Sequence, residues 1–339
     1  MRVGVVGAGL IGSRRAAIAA ETPGSQVVAV ADIDLARARD VAQRHGARAV
    51  REWERLVDDP DIDAVVIATP NKFARPVAVA SAEHGKHVLC EKPLGRNVSE
   101  ALAICSAART GGVVLKTGFN HRHHPAIARA HRCVRAGAIG VPMFARCVYG
   151  HGGRPGYDKE WRSDADLAGG GELLDQGVHA VDLARWFLGD FVEVTGFTTR
   201  WFWPIGPLED NGFALMRTAG GQVASLHTSW TQWRNRFSFE VFGRDGYVRV
   251  EGLGGSYGTE RLTVGRRRPE SGPPEEHTQE FPGPDESWRV EWQEFLAAIR
   301  EQREPIGSGT DGVEALRLIE AVYRASMAGT IVKLADLAS

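Results

Sequence analysis

The sequence has few cysteines and no closely spaced pair of them. Its 339 residues include four, which are Cys90, Cys105, Cys133 and Cys147. None stands at a spacing typical of a zinc site or of a local disulfide framework. We therefore expect no metal site, and we expect a reducing compartment, the cytoplasm.

Long apolar runs and a charge excess are also missing. No stretch approaches the roughly 18 consecutive apolar residues of a membrane span. The 41 basic and 42 acidic residues give a net charge of -1, which is not the basic footprint of a nucleic-acid binder. The apolar run near the N-terminus is punctuated by glycines, so we interpret it as structure and not as a signal peptide. We expect neither membrane nor nucleic acid as a partner.

Up to about residue 120, short apolar runs alternate with helical patterns. Several of these runs have consecutive apolar residues, which is typical of strands that are covered on both faces. Repeated strand–helix units predict right-handed crossovers and a parallel, doubly wound α/β sheet. The predicted strands cover residues 2–6, 27–31, 64–68, 87–90 and 113–117.

The pattern changes after about residue 125, where strand-like runs follow one another through turns. Gly220 and Gly221 separate one pair of runs, and Asp245 and Gly246 separate another. This arrangement predicts an α+β domain with a large, mostly antiparallel sheet. Two helices are predicted to close the chain. We expect two domains, residues 1–121 and 122–339, because the chain is long for one core.

The first predicted strand leads into a glycine-rich loop. Gly7, Gly9 and Gly12 stand in the spacing G-x-G-x-x-G. In that arrangement one glycine makes a tight turn, the next lets the backbone approach a pyrophosphate, and the last lets the helix pack closely on the strand. We therefore assign the loop, including Leu10 and Ile11, to a dinucleotide cofactor bound at the helix N-terminus. An ordinary strand-to-helix turn is the alternative.

Asp32 ends the second predicted strand, twenty residues after Gly12. A carboxylate at that place accepts hydrogen bonds from ribose hydroxyls and repels a 2′-phosphate, which favours NAD over NADP. Arg37 keeps NADP open as an alternative, although we expect it on the exposed face of the following helix.

Lys92 follows the predicted strand over residues 87–90, at the sheet edge where doubly wound folds bind ligands. An ammonium group near a bound nicotinamide cation gives up its proton more readily, which makes Lys92 a candidate acid or base. A loop lysine paired with its neighbour Glu91 is the alternative. Base rates favour a trans peptide bond between Lys92 and Pro93.

Residues 150–171 form a long connection that is rich in glycine, proline and charge, and such connections are usually functional or disordered. Its basic and aromatic side chains suit a sugar carrying phosphate, carboxylate or nucleotide. A solvated loop is the alternative. Trp201 and Trp203, two apart on a predicted strand, would form a sugar-stacking face or a packing face for a second subunit. The candidate substrate-binding residues of the connection are His151, Arg154, Tyr157, Lys159, Trp161 and Arg162.

Asp175 and His179 are four residues apart on a predicted helix and therefore share a face. With other polar residues, among them Glu172 and Asp182, they form an arc typical of an amphipathic helix that faces water. The glycines at residues 169–171, just before this helix, favour close approach to a ligand instead.

Five motifs follow one another along nearly the whole chain. They are VGVVGAGLIG at residues 3–12, ATPN at 68–71, EKPLG at 91–95, GFNHR at 118–122 and GGGELLDQGVHAVDLARWFLG at 169–189. In this order they resemble the Gfo/Idh/MocA oxidoreductases, which include glucose-fructose oxidoreductase and inositol dehydrogenase. The resemblance implies a Rossmann domain, an α+β substrate domain, and hydride transfer between NAD and a secondary alcohol.

The same resemblance implies roles for single residues. Lys92 matches the family's lysine at the reacting hydroxyl or carbonyl, and Asp175 and His179 match its substrate ligand and its acid/base. Ala74 stands where relatives often carry a histidine, so the contribution of that histidine to the pocket is missing. The remaining matched positions are Thr69, Pro70, Asn71, Glu91 and Asn120 on the cofactor side, with Arg122 on the substrate side.

We therefore expect an NAD-dependent oxidoreductase of sugars, sugar derivatives or cyclitols, assembled as a homodimer or homotetramer through its C-terminal sheet. In oxidation, His179 oriented by Asp175, or else Lys92, would remove the hydroxyl proton. An NAD-dependent glycosidase with transient oxidation is one alternative. A cofactor-binding regulator without chemistry is another, and the presence of all three residues argues against it.

Overall fold

The computed structural model describes residues 1–337. Grouped by their packing, these residues form two compact units, and neither unit is continuous in sequence. The first contains residues 1–119, 166–169 and 288–314, and the second contains residues 120–165, 170–287 and the described residues from 315 onward. The domain division expected after residue 121 stays a prediction, because packing alone does not show which segments fold independently.

Six strands, all parallel, form the sheet of the first unit. They are β1 (Arg2–Val6), β2 (Gln26–Ala31), β3 (Arg48–Val50), β4 (Ala64–Ile67), β5 (His87–Cys90) and β6 (Leu115–Thr117). The strand order is β3-β2-β1-β4-β5-β6, which is the doubly wound order that binds ligands at the carboxyl ends of its strands. The predicted α/β class is confirmed. Strand β3 was not predicted, because three residues are too few to give a periodic signal.

Five helices connect these strands. They are α1 (Leu10–Glu21), α2 (Leu35–Arg44), α3 (Trp53–Val57), α4 (Ala74–Glu83) and α5 (Val98–Thr110). Two of them begin at side-chain caps: Asp34 accepts the first amides of α2, and Asn97 accepts one of α5. Such caps satisfy amides that have no partner within the helix, and they fix where each helix starts.

The second unit contains a nine-stranded sheet. Its strands are β7 (Pro142–Gly150), β8 (Phe191–Thr199), β9 (Asn211–Thr218), β10 (Val223–Ser229), β11 (Arg236–Gly243), β12 (Gly246–Glu251), β13 (Glu260–Arg266), β14 (Glu275–Phe281) and β15 (Val332–Lys333). The order is β14-β13-β12-β11-β7-β10-β9-β8-β15, and only β7 and β10 pair in parallel. The mostly antiparallel sheet and both predicted hairpins are confirmed, because β9 and β10 flank Gly220 while β11 and β12 flank Asp245.

Six further helices follow β6 in the chain. They are α6 (Pro125–Arg135), α7 (Ala165–Ala168), α8 (Glu172–Asp175), α9 (Gly177–Leu188), α10 (Ser287–Glu301) and α11 (Gly309–Ala328). The two predicted closing helices correspond to α10 and α11. Within residues 1–337, no helix is both long and apolar enough to cross a lipid bilayer.

The prediction that Asp175 and His179 lie on a single helix is wrong. The helix is interrupted at Gln176, between the end of α8 and the start of α9. The amide of His179 donates to the oxygen of Gln176, three residues back, at 3.0 Å. Gly177 packs closely there, since an added Cβ would lie 2.9 Å from Thr228 Oγ1. Glycine is a poor helix former, and this close packing against β10 accounts for its presence.

The strand predicted for Trp201 and Trp203 is also wrong, because β8 ends before them. The buried carboxylate of Asp210 accepts hydrogen bonds of 2.8 to 3.0 Å from the backbone N–H groups of Trp201, Phe202 and Trp203. A carboxylate that accepts three successive amides bends the backbone around itself, and so replaces the ladder hydrogen bonds of a strand.

Residues 288–301 of α10 complete the core of the first unit. Trp292, Phe295 and Leu296 pack among the apolar residues beneath the parallel sheet. The indole N–H of Trp292 also donates to Ser25 Oγ at 3.2 Å. A helix nearly 300 residues along the chain therefore stabilises the unit that the first strand begins.

This packing predicts that Trp292→Ala lowers the free energy of unfolding by about 3–5 kcal/mol, because it leaves a large cavity in a tight core. Urea unfolding followed by circular dichroism measures the change. Trp233→Ala is the matched control, since Trp233 is 66% exposed and we expect a change within about 0.5 kcal/mol. Similar losses for both variants would contradict the assignment of α10 to the core.

Candidate active site

The glycine loop between β1 and α1 is a tight turn that leaves helix amides open. Gly7 has φ of +94°, and its N–H donates to Ala31 O at 2.8 Å. Helix α1 begins at Leu10 after Gly9, with no side-chain cap and no acidic residue in its first turn. Uncapped amides at the positive end of a helix dipole suit an anion such as a pyrophosphate.

The three glycines of this loop differ in what requires them. A Cβ on Gly7 would lie 2.4 Å from Ala68 O, and one on Gly12 would lie 1.7 Å from Gly7 O. The chain's own packing therefore requires both. A Cβ on Gly9 would have nothing within 4 Å. The open space beside Gly9 is where the sequence predicts the pyrophosphate, so the loop fits an NAD cofactor.

Asp32 is held at the end of β2 by the backbone around it. Its Oδ2 accepts the N–H of Ala8 at 2.8 Å, and its Oδ1 accepts the N–H of Asp34 at 2.9 Å. Arg37 lies on α2, about half exposed, with Nη1 3.9 Å from Asp32 Oδ2. Its predicted place on an exposed helix position is confirmed. The preference of Asp32 for the ribose of NAD stays a prediction.

The segment after β4 contains a hydroxyl that fits a ligand. Thr69 Oγ1 is buried and has no hydrogen-bond partner among residues 1–337, and such groups are rare unless something else satisfies them. Asn71 is buried, and its Nδ2 donates to Ala168 O at 2.8 Å. Pro70 between them is half-buried, and Ala74, which replaces the histidine of relatives, is buried at the start of α4.

Lys92 lies half-buried just after β5, and its peptide bond to Pro93 is cis, against the base-rate expectation. The neighbouring Glu91 forms its ion pair with Arg15, whose Nε donates to Glu91 Oε1 at 2.7 Å. The charge of Lys92 also acts on Glu91, so the alternative of a loop lysine paired with Glu91 stays open.

In the second unit, the polar arc around α8 and α9 is not in water. Glu172, Asp175, His179 and Asp182 are each at most 8% exposed, so the alternative of a solvated helix face is wrong. Arg122 pairs with Asp182 through two hydrogen bonds, of 2.9 Å from Nε and 2.6 Å from Nη2. This buried fork fixes α9 against the turn that follows β6. A substrate contact by Arg122 stays a prediction.

The imidazole of His179 stacks on that of His121. Their ring centroids are 3.7 Å apart with an interplanar angle of 13°. Tyr149 meets His121 edge-on at 5.3 Å, and Asn120 Oδ1 lies 3.2 Å from His121 Nδ1. Asn120 also donates to Ser287 Oγ at 3.0 Å. The ring plane of His179 is therefore set by a neighbour that the sequence interpretation did not select.

The glycines before α8 approach protein side chains and not an open space. A Cβ on Gly169 would lie 2.5 Å from Arg96 Cβ, and one on Gly170 would lie 2.5 Å from the Tyr323 hydroxyl. Glu209 accepts the N–H of Gly171 at 3.1 Å. Close packing and the Glu209 carboxylate account for these glycines, and the expectation that they let the helix start approach a ligand stays a prediction.

The long connection divides into a packed part and an exposed part. Arg162 Nε donates to Asp175 Oδ2 at 3.1 Å, and the Asp175 charge, with other acidic neighbours, raises the pKa of Arg162 although burial opposes it. His151 Nε2 lies 2.7 Å from the Gln176 side-chain amide, and burial lowers the pKa of His151.

Tyr157 is buried against the edge of Trp230, and burial raises its pKa. The structure thus brings together His151, Tyr157, Arg162 and Asp175 of the predicted substrate residues. Two more lie at the edge of this group: the guanidinium of exposed Arg154 is 5.7 Å from the Tyr157 ring, and that of Arg162 is 4.6 Å from the ring of half-buried Trp161. Lys159 is exposed.

Three residues of this region gave no usable signal in the sequence. His121 lies in a short 3-10 turn, which has no amphipathic period. Tyr149 is buried in β7 beside Tyr257, which lies in a glycine-rich turn between β12 and β13. Burial raises the pKa of Tyr257 to about 12. Only the motif GFNHR, which contains His121, could have drawn attention to one of them.

Within residues 1–337, no three histidine, cysteine, aspartate or glutamate side chains are grouped so that they could hold a metal ion.

Two successive parts of the chain match known domain families. Residues 1–119 match the family described as "Oxidoreductase family, NAD-binding Rossmann fold", and residues 127–249 match the GFO/IDH/MocA C-terminal domain. The chain belongs to the Gfo/Idh/MocA oxidoreductases. The family resemblance expected from the five motifs is confirmed, and so is the NAD-binding class of the chain.

Individual Gfo/Idh/MocA proteins are similar to this chain along most of its length. The levoglucosan dehydrogenase of Pseudarthrobacter phenanthrenivorans is 31% identical over 285 residues, which cover 73% of each chain. The 1,5-anhydro-D-fructose reductase of Ensifer adhaerens is 32% identical over 339 residues, or 97% of each chain. A solved levoglucosan dehydrogenase in complex with NADH and L-sorbose superposes with a TM-score of 0.88 at 26% identity, over 98% of both chains.

The glycine loop predicts separate effects of Gly9→Ala and Gly12→Ala. Gly9→Ala should fold normally but raise the NADH dissociation constant about tenfold or more, equivalent to ~1.4 kcal/mol, because its methyl group enters the open space. Gly12→Ala should lower the melting temperature, because its Cβ would collide with Gly7 O. NADH fluorescence titration and thermal melting separate the two effects. Wild-type NADH affinity in Gly9→Ala would refute the assigned position of the pyrophosphate.

Proposed function

We propose that this chain is an NAD-dependent dehydrogenase or reductase of a secondary alcohol or ketone in a sugar, sugar derivative or cyclitol. The observation that supports it most is the burial of Asp175 and His179, because titratable side chains are seldom buried, and those that are buried cluster at functional sites. Family membership supplies the reaction class. The names of the relatives, a levoglucosan dehydrogenase and an anhydrofructose reductase, favour a carbohydrate substrate. The four unpaired cysteines favour a cytoplasmic location.

The proposed residues divide the proton chemistry between them. When bound, NAD supplies the acceptor for the hydride of the alcohol carbon. His179, or Lys92 in its neutral form, takes the hydroxyl proton in oxidation and returns it in reduction. An ammonium at Lys92 stabilises the negative charge that develops on the alcohol oxygen. The stacked ring of His121 limits His179 to one plane, which reduces the orientations it must lose in the transition state.

The charges of the connection favour an uncharged substrate over a phosphorylated or acidic one. Arg162 pairs with Asp175, and Arg154 pairs with Glu160 at 2.6 Å. A guanidinium that is already paired with a carboxylate offers little net attraction to an anion. Of the sugar classes open at the level of sequence, we therefore favour neutral sugars and cyclitols.

A substrate screen tests the proposal directly. Neutral sugars, cyclitols, sugar phosphates, uronates and glycosides are each incubated with NAD. NADH formation is followed by absorbance, sugar release by chromatography, and NADH binding by fluorescence. Stoichiometric NADH with a neutral sugar or cyclitol supports the dehydrogenase. Release of a free sugar from a glycoside without net NADH would identify the glycosidase alternative, and binding of NADH without turnover of any class would identify a regulator.

We also propose that a second copy of the chain covers the outer face of the nine-stranded sheet. Phe197, Phe213, Leu215 and Val223 lie on that face of β8, β9 and β10, where the strand register pairs Phe197 with Phe213. Phe197 is 65% exposed and Leu215 is 51% exposed. Exposed apolar side chains grouped on one face of a sheet mark an interface. The supported assembly is the homodimer or homotetramer expected from the sequence.

Lys92→Ala should lower kcat by about 10²–10⁴-fold, the usual range for loss of a group that moves or stabilises a proton. NADH affinity should change far less. The Lys92→Arg variant separates proton transfer from charge stabilisation, because arginine keeps the positive charge but does not accept a proton. Partial activity of this variant would indicate a role in alkoxide stabilisation alone. Steady-state kinetics and NADH fluorescence provide the measurements. Lys333→Ala, an exposed lysine, is the control, and wild-type turnover in Lys92→Ala would exclude the assigned role.

Leu215→Glu should reduce the molar mass in solution to that of the monomer, because a carboxylate cannot be buried unpaired in an apolar interface. Light scattering after size exclusion measures the mass. Val290→Glu is the control, since Val290 is 43% exposed on α10 and lies outside this sheet. An unchanged mass for Leu215→Glu would place the interface elsewhere.

A further inference from the structure

Four charged side chains are buried together behind the end of β5. Arg15 comes from α1, Glu91 follows β5, Lys116 lies in β6, and Glu291 lies in α10. Arg15, Lys116 and Glu291 are at most 1% exposed, and Glu91 is 14% exposed on its side chain. We call these four residues the buried quartet. All of them lie in the first unit.

Arg15 is the centre of the quartet. Its Nη2 lies 2.6 Å from Glu91 Oε1 and 2.6 Å from Glu291 Oε2. Lys116 Nζ lies 3.6 Å from the other oxygen of Glu291. The Trp288 ring covers the Arg15 guanidinium at 4.4 Å, in a cation–π contact. Two positive and two negative charges therefore balance, but only while Arg15 neutralises both carboxylates.

Stability alone is a weak reason for such an arrangement. Removing ions from water costs several kcal/mol each, and apolar residues of similar volume often stabilise a core as well or better. The place of the quartet is informative, because Glu91 directly precedes Lys92. The two are electrostatically coupled: burial raises the pKa of Glu91, and Glu291 adds to this, whereas Arg15 and Lys92 both favour its charged form.

We propose that Arg15 is a positioning residue for the active site, which sets the charge environment of Lys92 by neutralising Glu91 and Glu291. The inference rests on the proposed function, in which Lys92 acts on the proton of the substrate. Without Arg15, Lys116 alone would oppose two carboxylates, and the excess negative charge would hold the proton of Lys92 more firmly. Without Glu291, the excess positive charge would favour loss of that proton.

The experiment measures Lys92 itself, independently of turnover. Competitive acetylation of the full-length chain, read by peptide mass spectrometry across a pH series, gives the pH midpoint at which Lys92 becomes reactive. Arg15→Met should raise this midpoint by about one pH unit, and Glu291→Gln should lower it by about as much. The double variant Arg15→Met/Glu291→Gln removes one charge of each sign, so its midpoint should return toward that of the wild type.

Opposite shifts in the two single variants cannot come from a general loosening of the fold. Arg44→Met is the matched control, because Arg44 is an exposed arginine of α2 paired with Asp40, and it should leave the Lys92 midpoint unchanged. Shifts of the same sign, or no shift in either variant, would overturn the proposal. Where thermal melting shows that Glu291→Gln does not fold, Glu91→Gln replaces it and must lower the midpoint. Where Arg15→Met does not fold, Lys116→Met replaces it and must raise the midpoint, because Lys116 is the other cation of the buried quartet.

Turnover separates this inference from the proposed function. Loss of kcat in Lys92→Ala without the opposite labelling shifts would refute the role of Arg15 and leave the catalytic role of Lys92 intact. Opposite shifts together with wild-type turnover in Lys92→Ala would instead refute the catalytic role of Lys92 in the proposed function and leave only the electrostatic coupling. If the labelling shifts are opposite and Lys92→Ala also loses turnover, Arg15→Met should lower kcat much more than it weakens NADH binding.

Discussion

A charge taken out of water must find an opposite charge or a set of hydrogen bonds, and this constraint organises both units of the chain. In the first unit, Arg15 joins helices α1 and α10 to the end of β5 through two carboxylates. In the second, Arg122 ties the turn after β6 to α9 through Asp182. Each pair fixes a segment that carries a proposed functional residue, so the cost of burial is offset where position matters.

The same constraint separates what the sequence predicts from what it does not. Runs of consecutive apolar residues predicted the parallel strands, because a strand covered on both faces has no alternation. The sequence analysis missed interruptions of helices and strands at places where a residue distant in sequence determines the local backbone conformation. Asp210 collects the amides of residues 201–203, and Gly177 packs on Thr228. Neither partner is near in sequence, so no local period reveals it.

The candidate site shows the same limit. The glycine loop, Asp32 and Lys92 were found because each follows a strand at a fixed place in a doubly wound sheet. Arg15 and Glu291 were not, since 276 positions separate them and neither belongs to a recognisable motif. His121 was passed over because its role depends on a stack with His179 that only the tertiary fold creates. Local patterns identify residues that meet a cofactor's fixed geometry, while the residues that support them are determined by packing.

The stack of His121 on His179 shows how a supporting residue acts. With ring centroids 3.7 Å apart, the two imidazoles leave no room for water between them, and the ring of His179 is held in one plane. His121 is restrained in turn by Asn120, whose Oδ1 lies 3.2 Å from His121 Nδ1, and by the ring of Tyr149 at 5.3 Å. The orientation of His179 therefore depends on a chain of packed side chains, and tertiary packing, not a local motif, determines which residues belong to that chain.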